Sequence, residues 1–518
     1  MIPRGPVRRG LAAPLVAATA AVFMAAPWLD QRLVWAAWIG VAIPLACIDR
    51  IRGWWGECWT LAGATAAIAI AFHWTPAALA YAMDADQATG VAIAAPIVFW
   101  DALRLAAPLL FAARVQPDPL RAWVPAGLLA VAIEAVAPAV FPWKLGYAQA
   151  AWPVLVQSVD LVGPELSTLV LYAHAGLLVW LAHAGWRAPP PRAVVVAAAV
   201  CAANLAYGSW AIVHWTHVVA AAPTFDVVLV QANPEEEGGI DALRGFTRRM
   251  TTATSGTTGL VCWPECSGGC YADTLASLAD PERVLEHSRP PRAGMRPLDE
   301  PRRPLLFGGK SYRGHPEKPR DLYQSALLID PDQTITGRYH KRYLMPFGEY
   351  VPGEDVYPDV KRSFPMQEDL TAGTDAHVLA CGPARIGVML CYEDMIPEAA
   401  RSLVANGANL LVSLINGAAF TAPLTLEQHR MLARLRAVET RRCLLRCAAT
   451  GETCVISPIG TITAALPLHD RGALAARAPL VEGRTLASRT DRLFPIGCGL
   501  AMALVVWRGR RPANNRFP

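Results

Sequence analysis

Hydrophobic positions are unevenly distributed along this chain, and their pattern predicts two kinds of structure. Long apolar runs with few charges fill residues 11 to about 215 and recur near the C-terminus, at 493–507. A helix that crosses a membrane needs about 20 mostly apolar residues. By that measure the sequence predicts eight spanning helices, near residues 11–28, 33–48, 60–82, 88–113, 123–141, 164–184, 193–215 and 490–507.

From residue 225 onward, short apolar segments end in polar residues, as buried strands do. Strands are predicted over 225–231, 259–263, 304–308, 323–329, 385–391, 409–415 and 443–448, and helices over 240–254, 395–406 and 425–442. Strands that alternate with helices indicate an α/β domain. The expected organisation is a membrane domain of about seven helices at 1–221, an α/β domain at 222–489, and a final helix with a basic tail at 490–518.

Composition supports the membrane assignment, because the 518 residues are 53% hydrophobic and only 17% charged. Basic residues mark the cytoplasmic ends of membrane helices. With the N-terminus in the cytoplasm, the opposite side receives only Arg32 and Lys144. The cytoplasmic side receives Arg4, Arg8, Arg9, Arg50, Arg52, Arg114, Arg121, Arg187, Arg192, Arg508, Arg510, Arg511 and Arg516. This asymmetry places the α/β domain outside the cytoplasm and explains the net charge of +5 without a nucleic-acid partner.

Three charged residues lie inside predicted spans and away from the span ends. Asp101 and Arg104 stand three residues apart on one helix face, where they either neutralise each other as a structural ion pair or serve a function. Glu134 has no such partner in sequence, which favours a functional role. The aromatic segment 141–149, followed by 157–163, suits a membrane edge, where it would line a lipid entry path or anchor the chain.

The twelve cysteines are scattered without the paired spacing of a zinc module. Cys262, Cys266 and Cys270 lack a nearby histidine, so core packing or one disulfide is favoured over a metal site. Cys391 differs from them because it ends a predicted buried strand and precedes a stretch rich in acids. Cys391 is therefore the candidate nucleophile, and no metal or organic cofactor is expected.

Two distant motifs supply chemical partners for Cys391. Glu265 follows the strand that ends at Trp263, and Lys341 lies in the stretch YHKRYLMPFGEYVP at 339–352. A thiol attacks as the thiolate, so a carboxylate that takes its proton activates it. A lysine stabilises the oxyanion that forms on the attacked carbonyl. Together, Glu265, Lys341 and Cys391 make a complete set for acyl transfer.

These motifs resemble the nitrilase, or carbon–nitrogen hydrolase, superfamily, whose triad is Glu, Lys and Cys in that order. The matching sequences are WPE at 263–265, HK followed by MPFGEYVP up to 352, and CYE at 391–393. With the predicted spans and the segment FPWKLGYAQ, nearly the whole chain resembles the bacterial apolipoprotein N-acyltransferase family. That resemblance implies a nitrilase-like αββα domain on the periplasmic side of the inner membrane. It also implies an accessory acid, Glu349, and two residues that shape the pocket beside the nucleophile, Tyr392 and Glu393.

The same resemblance implies the reaction. Cys391, deprotonated by Glu265, takes an acyl chain from a phospholipid as a thioester, while Lys341 and the backbone N–H of Tyr392 hold the oxyanion. The acyl group then passes to the N-terminal amine of a diacylated apolipoprotein. The expected partners are a phospholipid donor, a diacylated apolipoprotein acceptor and membrane lipid, with the enzyme acting as a monomer.

Two segments depart from the family pattern, and both bear on the acceptor more than on the triad. The divergent loop at 415–423 begins INGAAF, which keeps the family's Asn and Phe but lacks its Asp and Trp. The loop after Gln231 lacks the family's tryptophan. Two alternatives stay open: a membrane-bound amidase or nitrilase that hydrolyses a small carbon–nitrogen substrate, and a non-catalytic homologue that binds lipid. The complete Glu, Lys and Cys set disfavours the second alternative.

Overall fold

The chain folds into two compact units. The first comprises Met1–Pro76, Val91–Ile212 and Thr490–Pro518, and the second comprises Ala77–Gly90 and Val213–Arg489. The computed structural model describes residues 6–183, 189–233, 245–247, 249–250, 259–267, 270–272, 303–315, 318–331, 335–363, 369–418, 420, 422–490 and 492–509. In the described residues the first unit is helical and the second is built on two β-sheets.

Helices stand at all eight positions where the sequence predicts membrane spans. Three are long and apolar enough to cross a membrane: Gln87–Val115, Glu165–His183 and Arg192–Ala221. The pair Trp54–Ala71 and Thr75–Ala82, bent by 61°, makes a fourth if it counts as one span. The remaining helices of this part of the chain are Pro6–Leu29, Val34–Ala46, Ile48–Ile51, Trp123–Val136, Pro153–Val156, Val159–Val162, Ala487–Thr490 and Leu493–Gly509. Eight membrane crossings remain a prediction.

Two predicted spans differ in the structure, and proline accounts for both differences. The fifth was expected to reach residue 141, but its helix ends at Val136, and Ala137 is extended at φ −75° and ψ 126°. The ring of the following Pro138 disfavours a helical conformation at Ala137. The third was expected to run unbroken over 60–82, but its helix stops before Phe72. A continuous helix would need an N–H from Pro76 to the carbonyl of Phe72, and proline has none.

Asp101, Arg104 and Glu134 have partners within the first unit. Arg104 Nη1 lies 2.6 Å from Asp101 Oδ1, so these two side chains form the structural ion pair. Glu134, which has no partner evident in sequence, accepts hydrogen bonds from the Leu145 N–H at 2.7 Å and from the Thr168 hydroxyl at 2.7 Å. Glu134 therefore fixes the backbone at Leu145, in the middle of the aromatic segment 141–149.

That aromatic segment is packed inside the first unit. Trp143 and Tyr147 are both buried. Between them, Lys144 places its Nζ 3.0 Å from Glu165 Oε1 and donates to the Glu134 carbonyl at 3.0 Å. Trp143 and Tyr147 therefore pack inside the unit and are not exposed interfacial anchors.

The second unit contains thirteen strands among its described residues. They are β1 Thr224–Gln231, β2 Leu260–Cys262, β3 Cys270–Ala272, β4 Leu305–His315, β5 Lys318–Ile329, β6 Ile335–His340, β7 Val378–Cys381, β8 Ala384–Leu390, β9 Leu410–Ile415, β10 Leu444–Ala448, β11 Cys454–Ile456, β12 Ile462–Ala465 and β13 Gly472–Pro479. The first sheet has the order β13-β1-β2-β4-β5-β6, with β3 also paired to β4. The second sheet has the order β12-β11-β10-β9-β8-β7.

Each sheet has a parallel centre, which brings several strand ends to one edge. β1, β2 and β4 are parallel, and so are β8, β9 and β10. β5 is antiparallel to β4, and β6 is antiparallel to β5, so β6 points the same way as β4. The loops after β2 and β6 therefore leave from one edge of the first sheet. In such sheets ligands bind at the carboxyl ends of the strands.

Apolar side chains from both sheets form one core between them. Leu229 of β1 and Val388 of β8 belong to the same buried cluster. The helices Pro397–Ala405 and Pro423–Thr440 contribute to this cluster and pack against β8 and β10. On the first sheet, Phe246 packs against a separate cluster that contains strand residues of β1. The α/β class is thus confirmed, with two sheets that share one core.

The predicted strands are all present, but the sequence underestimates their number. Strands β3, β6, β7, β11, β12 and β13 were not predicted. Two of them show why. β6 alternates buried and more exposed positions, β12 has no buried position, and both carry small or polar residues, so neither forms a continuous apolar run. The predicted helix 240–254 lies mostly outside the described residues and is helical at 245–247 and 249–250.

Candidate active site

The residues predicted as base, oxyanion donor and nucleophile each lie just beyond a strand. Glu265 lies in the turn after β2, Lys341 is the first residue after β6, and Cys391 is the first residue after β8. They are 4%, 1% and 7% exposed, respectively. Lys341 Nζ lies 3.8 Å from Glu265 Oε1, and the Glu265 carboxylate is within interaction reach of the Cys391 thiol. The fold therefore brings these three side chains together.

Cys391 occupies a sharp turn at the end of its strand. The strand stops at Leu390, one residue earlier than predicted, and Cys391–Met395 forms a single 3₁₀ turn. Cys391 itself has φ 48°, in the left-handed region that residues with a Cβ rarely adopt. Such a conformation costs about 1–3 kcal/mol and persists only where the surroundings enforce it. The turn leaves the thiol donating to the carbonyl of Asn416 at 3.8 Å.

Lys341 is held at its backbone and at its ammonium group. Its N–H donates to the carbonyl of Gln324 at 2.8 Å, and its own carbonyl accepts from the Gly373 N–H at 2.7 Å. Nζ donates to Glu349 Oε1 at 2.6 Å. Burial alone would lower the pKa of Lys341, but the carboxylates of Glu349 and Glu265 raise it above its usual value. Lys341 is therefore a buried cation.

Glu349, predicted as the accessory acid, is the closest charged partner of that lysine. Its Oε1 accepts from Lys341, and its Oε2 accepts from the Met345 N–H at 2.8 Å. The second bond ties the carboxylate to its own loop. Glu349 thereby holds the ammonium of Lys341 in place.

Glu265 has the protonation properties of a general base. Burial raises its pKa to about 7, against the opposing effect of Lys341, and the nearby Glu349 carboxylate raises it too. Its Oε2 accepts from the Asn416 N–H at 3.1 Å. Behind it, β4 passes so closely that a Cβ on Gly308 would lie 2.5 Å from the Glu265 Cα. A base with a pKa near neutral both accepts and returns a proton readily.

The Cys391 thiol is protonated in the resting site. Burial and the Glu265 carboxylate raise its pKa well above the usual value, and Lys341 lowers it in part. Because only the thiolate is a strong nucleophile, attack requires transfer of the thiol proton to a base. Glu265 is the carboxylate in position to take it.

The two residues after Cys391 lie in the same turn and are both buried. Burial raises the pKa of Tyr392 above its usual value, so its hydroxyl stays neutral. Glu393 is directed at the protein's own donors. It accepts hydrogen bonds from the N–H groups of Leu390, Arg342 and Tyr343 at 2.8, 2.7 and 3.1 Å and from the Tyr339 hydroxyl at 2.8 Å. Glu393 thus joins the nucleophile's turn to the loop that carries Lys341.

Sequence reasoning missed two contributors to the site. Asn416 links base and nucleophile through its backbone, since its N–H donates to Glu265 and its carbonyl accepts from Cys391. Its position directly after β9 was the available signal, because the other site residues also follow strands. Asp394, the second acid after Tyr392, accepts buried hydrogen bonds from the side chains of His429 and Ser413.

The described residues contain no group of three His, Cys, Asp or Glu side chains arranged to hold a metal ion. Cys262 is a buried free thiol, which fits the core-packing interpretation. Cys266 Sγ accepts a hydrogen bond from the side-chain amide of Gln324 at 3.6 Å. The side chain of Cys270 lies outside the described residues.

A thiol, a carboxylate of near-neutral pKa and a buried ammonium can perform acyl transfer from an ester or amide. The carboxylate accepts the thiol proton, the thiolate attacks the carbonyl carbon, and the ammonium stabilises the negative charge that develops on the carbonyl oxygen. Burial strengthens these charge interactions because little water competes for the same groups.

Several known proteins are similar to this chain in sequence. Residues 197–486 match the carbon–nitrogen hydrolase family. The apolipoprotein N-acyltransferase of Geobacter metallireducens is 29% identical over 379 residues, covering 70% of this chain and 69% of that protein. That of Azotobacter vinelandii is 31% identical, covering 73% and 70%, and that of Pseudomonas paraeruginosa is 27% identical, covering 90% and 89%.

Proposed function

The chain belongs to the carbon–nitrogen hydrolase family and, within it, to the apolipoprotein N-acyltransferases, and we propose that it acylates the N-terminal amine of diacylated apolipoproteins with a phospholipid acyl chain. The observation that carries this proposal is the buried cluster of Glu265, Lys341 and Cys391, at 3.8 Å between base and ammonium. Its chemistry suits an ester donor and an amine acceptor.

In the first half-reaction, Glu265 takes the proton from the Cys391 thiol, and the thiolate attacks the ester carbonyl carbon of a phospholipid. Lys341, together with the Tyr392 N–H, stabilises the resulting oxyanion. The carbon–oxygen bond to glycerol then breaks, and protonated Glu265 returns its proton to the departing glycerol oxygen. The products are lysophospholipid and an acyl-thioester on Cys391.

In the second half-reaction, the acceptor amine attacks the thioester carbonyl and passes a proton to Glu265. Collapse of the tetrahedral intermediate breaks the carbon–sulfur bond, forms the amide and regenerates the Cys391 thiol. The same carboxylate therefore moves a proton in both directions, which a pKa of about 7 favours. Glu349 keeps the ammonium of Lys341 aligned through both steps.

The membrane part of the proposal follows from the substrates. Both carry acyl chains, and drawing a methylene from lipid into water costs about 0.8 kcal/mol, so catalysis at the bilayer surface avoids a large cost. We infer eight spanning helices in the inner membrane, with residues 222–489 on the periplasmic side. This orientation rests on the distribution of arginine in the loops. We propose that the enzyme acts as a monomer.

Replacement of a host's own N-acyltransferase tests the proposed function in cells. Cells depleted of that enzyme and supplied with this protein should carry triacylated lipoprotein N-termini, measured by mass spectrometry. Cys391→Ala should leave the termini diacylated, while Cys381→Ala, which changes another buried thiol of the same unit, should not. Diacylated termini despite normal amounts of membrane-inserted protein would refute the assigned acceptor and favour a hydrolase.

A further inference from the structure

The nucleophile's turn contains two adjacent, fully buried carboxylates that bond in different directions. Glu393 accepts from the loop that carries Lys341, as described above. Asp394 instead accepts three side-chain hydrogen bonds from the second sheet and its helix. The donors are His429 Nε2 at 2.6 Å, Ser413 Oγ at 2.9 Å and Arg446 Nε at 3.1 Å.

Asp394 is ionised in this environment. Burial alone would raise its pKa, but His429 and Arg446 more than offset burial and lower the pKa to about 2. Since an ionised carboxylate only accepts hydrogen bonds, Nε2 of His429 carries the proton that the two residues share. A carboxylate with no solvent exposure is stable in a protein only when its charge and lone pairs are satisfied, and here three donors satisfy them.

The donors come from elements that also build the site. Ser413 lies on β9, which ends at Ile415, directly before Asn416. Arg446 lies on β10, two residues before Ala448. Cys391, Ile415 and Ala448 pack together in one small cluster. Asp394 therefore connects the nucleophile's turn to the two strands whose ends surround the thiol.

A cysteine in the left-handed backbone conformation must be held by hydrogen bonds on both sides of its turn. The φ of 48° at Cys391 is unfavourable by itself, so the turn holds it only while both of its ends are fixed. Glu393 fixes the turn to the first sheet's loop, and Asp394 fixes it to the second sheet. Without the second connection the turn can relax, and a shift of about 1 Å in a reacting atom typically costs about 10²-fold in rate.

We propose that Asp394, held by His429, Ser413 and Arg446, is a positioning residue that keeps Cys391 in its reactive conformation. This role deepens the proposed acyl transfer and rests on it. The side-chain hydrogen bonds of Asp394 are made with Ser413, His429 and Arg446, and not with Cys391, Glu265 or Lys341. Asp394 acts through the backbone of the turn and has no part in proton transfer.

Asp394→Asn tests the role because it keeps the shape of the side chain and removes its charge. We expect the rate of thioester formation per folded molecule to fall about 10–100-fold at saturating phospholipid, with KM nearly unchanged. The matched control is Asp226→Asn, which breaks the exposed ion pair of Asp226 with Arg477 at 3.5 Å. The control should keep the native rate. An Asp394→Asn protein that melts normally and acylates at the native rate would overturn the proposal.

Two further measurements keep the test decisive. If Asp394→Asn fails to fold, Ser413→Ala and His429→Leu each remove one donor, and native rates in both folded variants would overturn the proposal. Hydrogen exchange of the peptide that spans 391–395 measures, without any substrate, how firmly the nucleophile's turn is held. Faster exchange in Asp394→Asn than in Asp226→Asn supports the positioning role of Asp394, and equal exchange refutes it. A native protein that forms no thioester would contradict the proposed function, while the exchange result would still decide the positioning role.

Discussion

Lys341→Met removes the ammonium from the site and keeps an unbranched side chain of similar length. Lys341 Nζ lies 3.8 Å from Glu265 Oε1. At that distance, with an effective dielectric constant of about 20, two unit charges attract by about 4 kcal/mol, or roughly three units of carboxyl pKa. The pKa of Glu265 is already about 7, so without Lys341 the carboxyl should be protonated at neutral pH. The substitution should therefore disable the base as well as the oxyanion donor.

The two losses can be separated by pH. Removal of one oxyanion donor typically costs about 10²–10³-fold. At neutral pH the protonation of Glu265 should add a further loss, which should disappear as the pH rises and the carboxyl ionises. Thioester formation on Cys391, followed by mass spectrometry of the intact protein, measures both. Lys341→Arg is the control that keeps the charge. Any rate of thioester formation that it loses should not be recovered as the pH rises. A Lys341→Met deficit that is the same at neutral and alkaline pH would refute the electrostatic link between Lys341 and Glu265.

Three further predictions follow from the same geometry. The acylation rate of the native protein should rise through pH 7 to a plateau, because the Glu265 carboxylate must be ionised to accept the thiol proton, and a flat profile across pH 7 would contradict that role. Gly308→Ala should slow thioester formation about 10-fold or more, since its Cβ would lie 2.5 Å from the Glu265 Cα, whereas Gly497→Ala, which meets nothing within 4 Å, should not. A topology reporter inserted at Gly353, where the chain has open space, should report an extracytoplasmic position, and a cytoplasmic signal would overturn the orientation.

Two members of the triad could be predicted because they follow apolar runs, Glu265 after β2 and Cys391 after β8, whereas Lys341 was identified from its motif. That the loops after β2 and β6 leave from one edge of the first sheet was not predicted, because short apolar runs do not reveal strand direction. The class of the domain follows from the same alternation of strands and helices. Strand β6 was missed even though Lys341 follows it, because half of its positions are not buried and its residues are partly polar.

Contacts made by the backbone could not be predicted from residue types. Asn416 joins base and nucleophile through its N–H and its carbonyl, which every residue but proline possesses. The bonds of Asp394 to Ser413, His429 and Arg446 depend on how β9, β10 and a helix pack beside the turn. Sequence spacing does not encode such long-range packing.

The end of the helix before Phe72 could have been predicted from the sequence, since Pro76 lies four residues after Phe72.

The acyl-thioester on Cys391 is the central claim, and its detection tests that claim most directly. The purified protein is incubated with a diacyl phospholipid, digested, and searched by mass spectrometry for an acyl chain on the peptide that contains Cys391. A diacylated lipopeptide with a free N-terminal amine is then added. The account predicts an acyl adduct on Cys391 that disappears as the lipopeptide gains an amide-linked chain. Absence of the adduct from Cys391, with the lipopeptide still acylated, would contradict it.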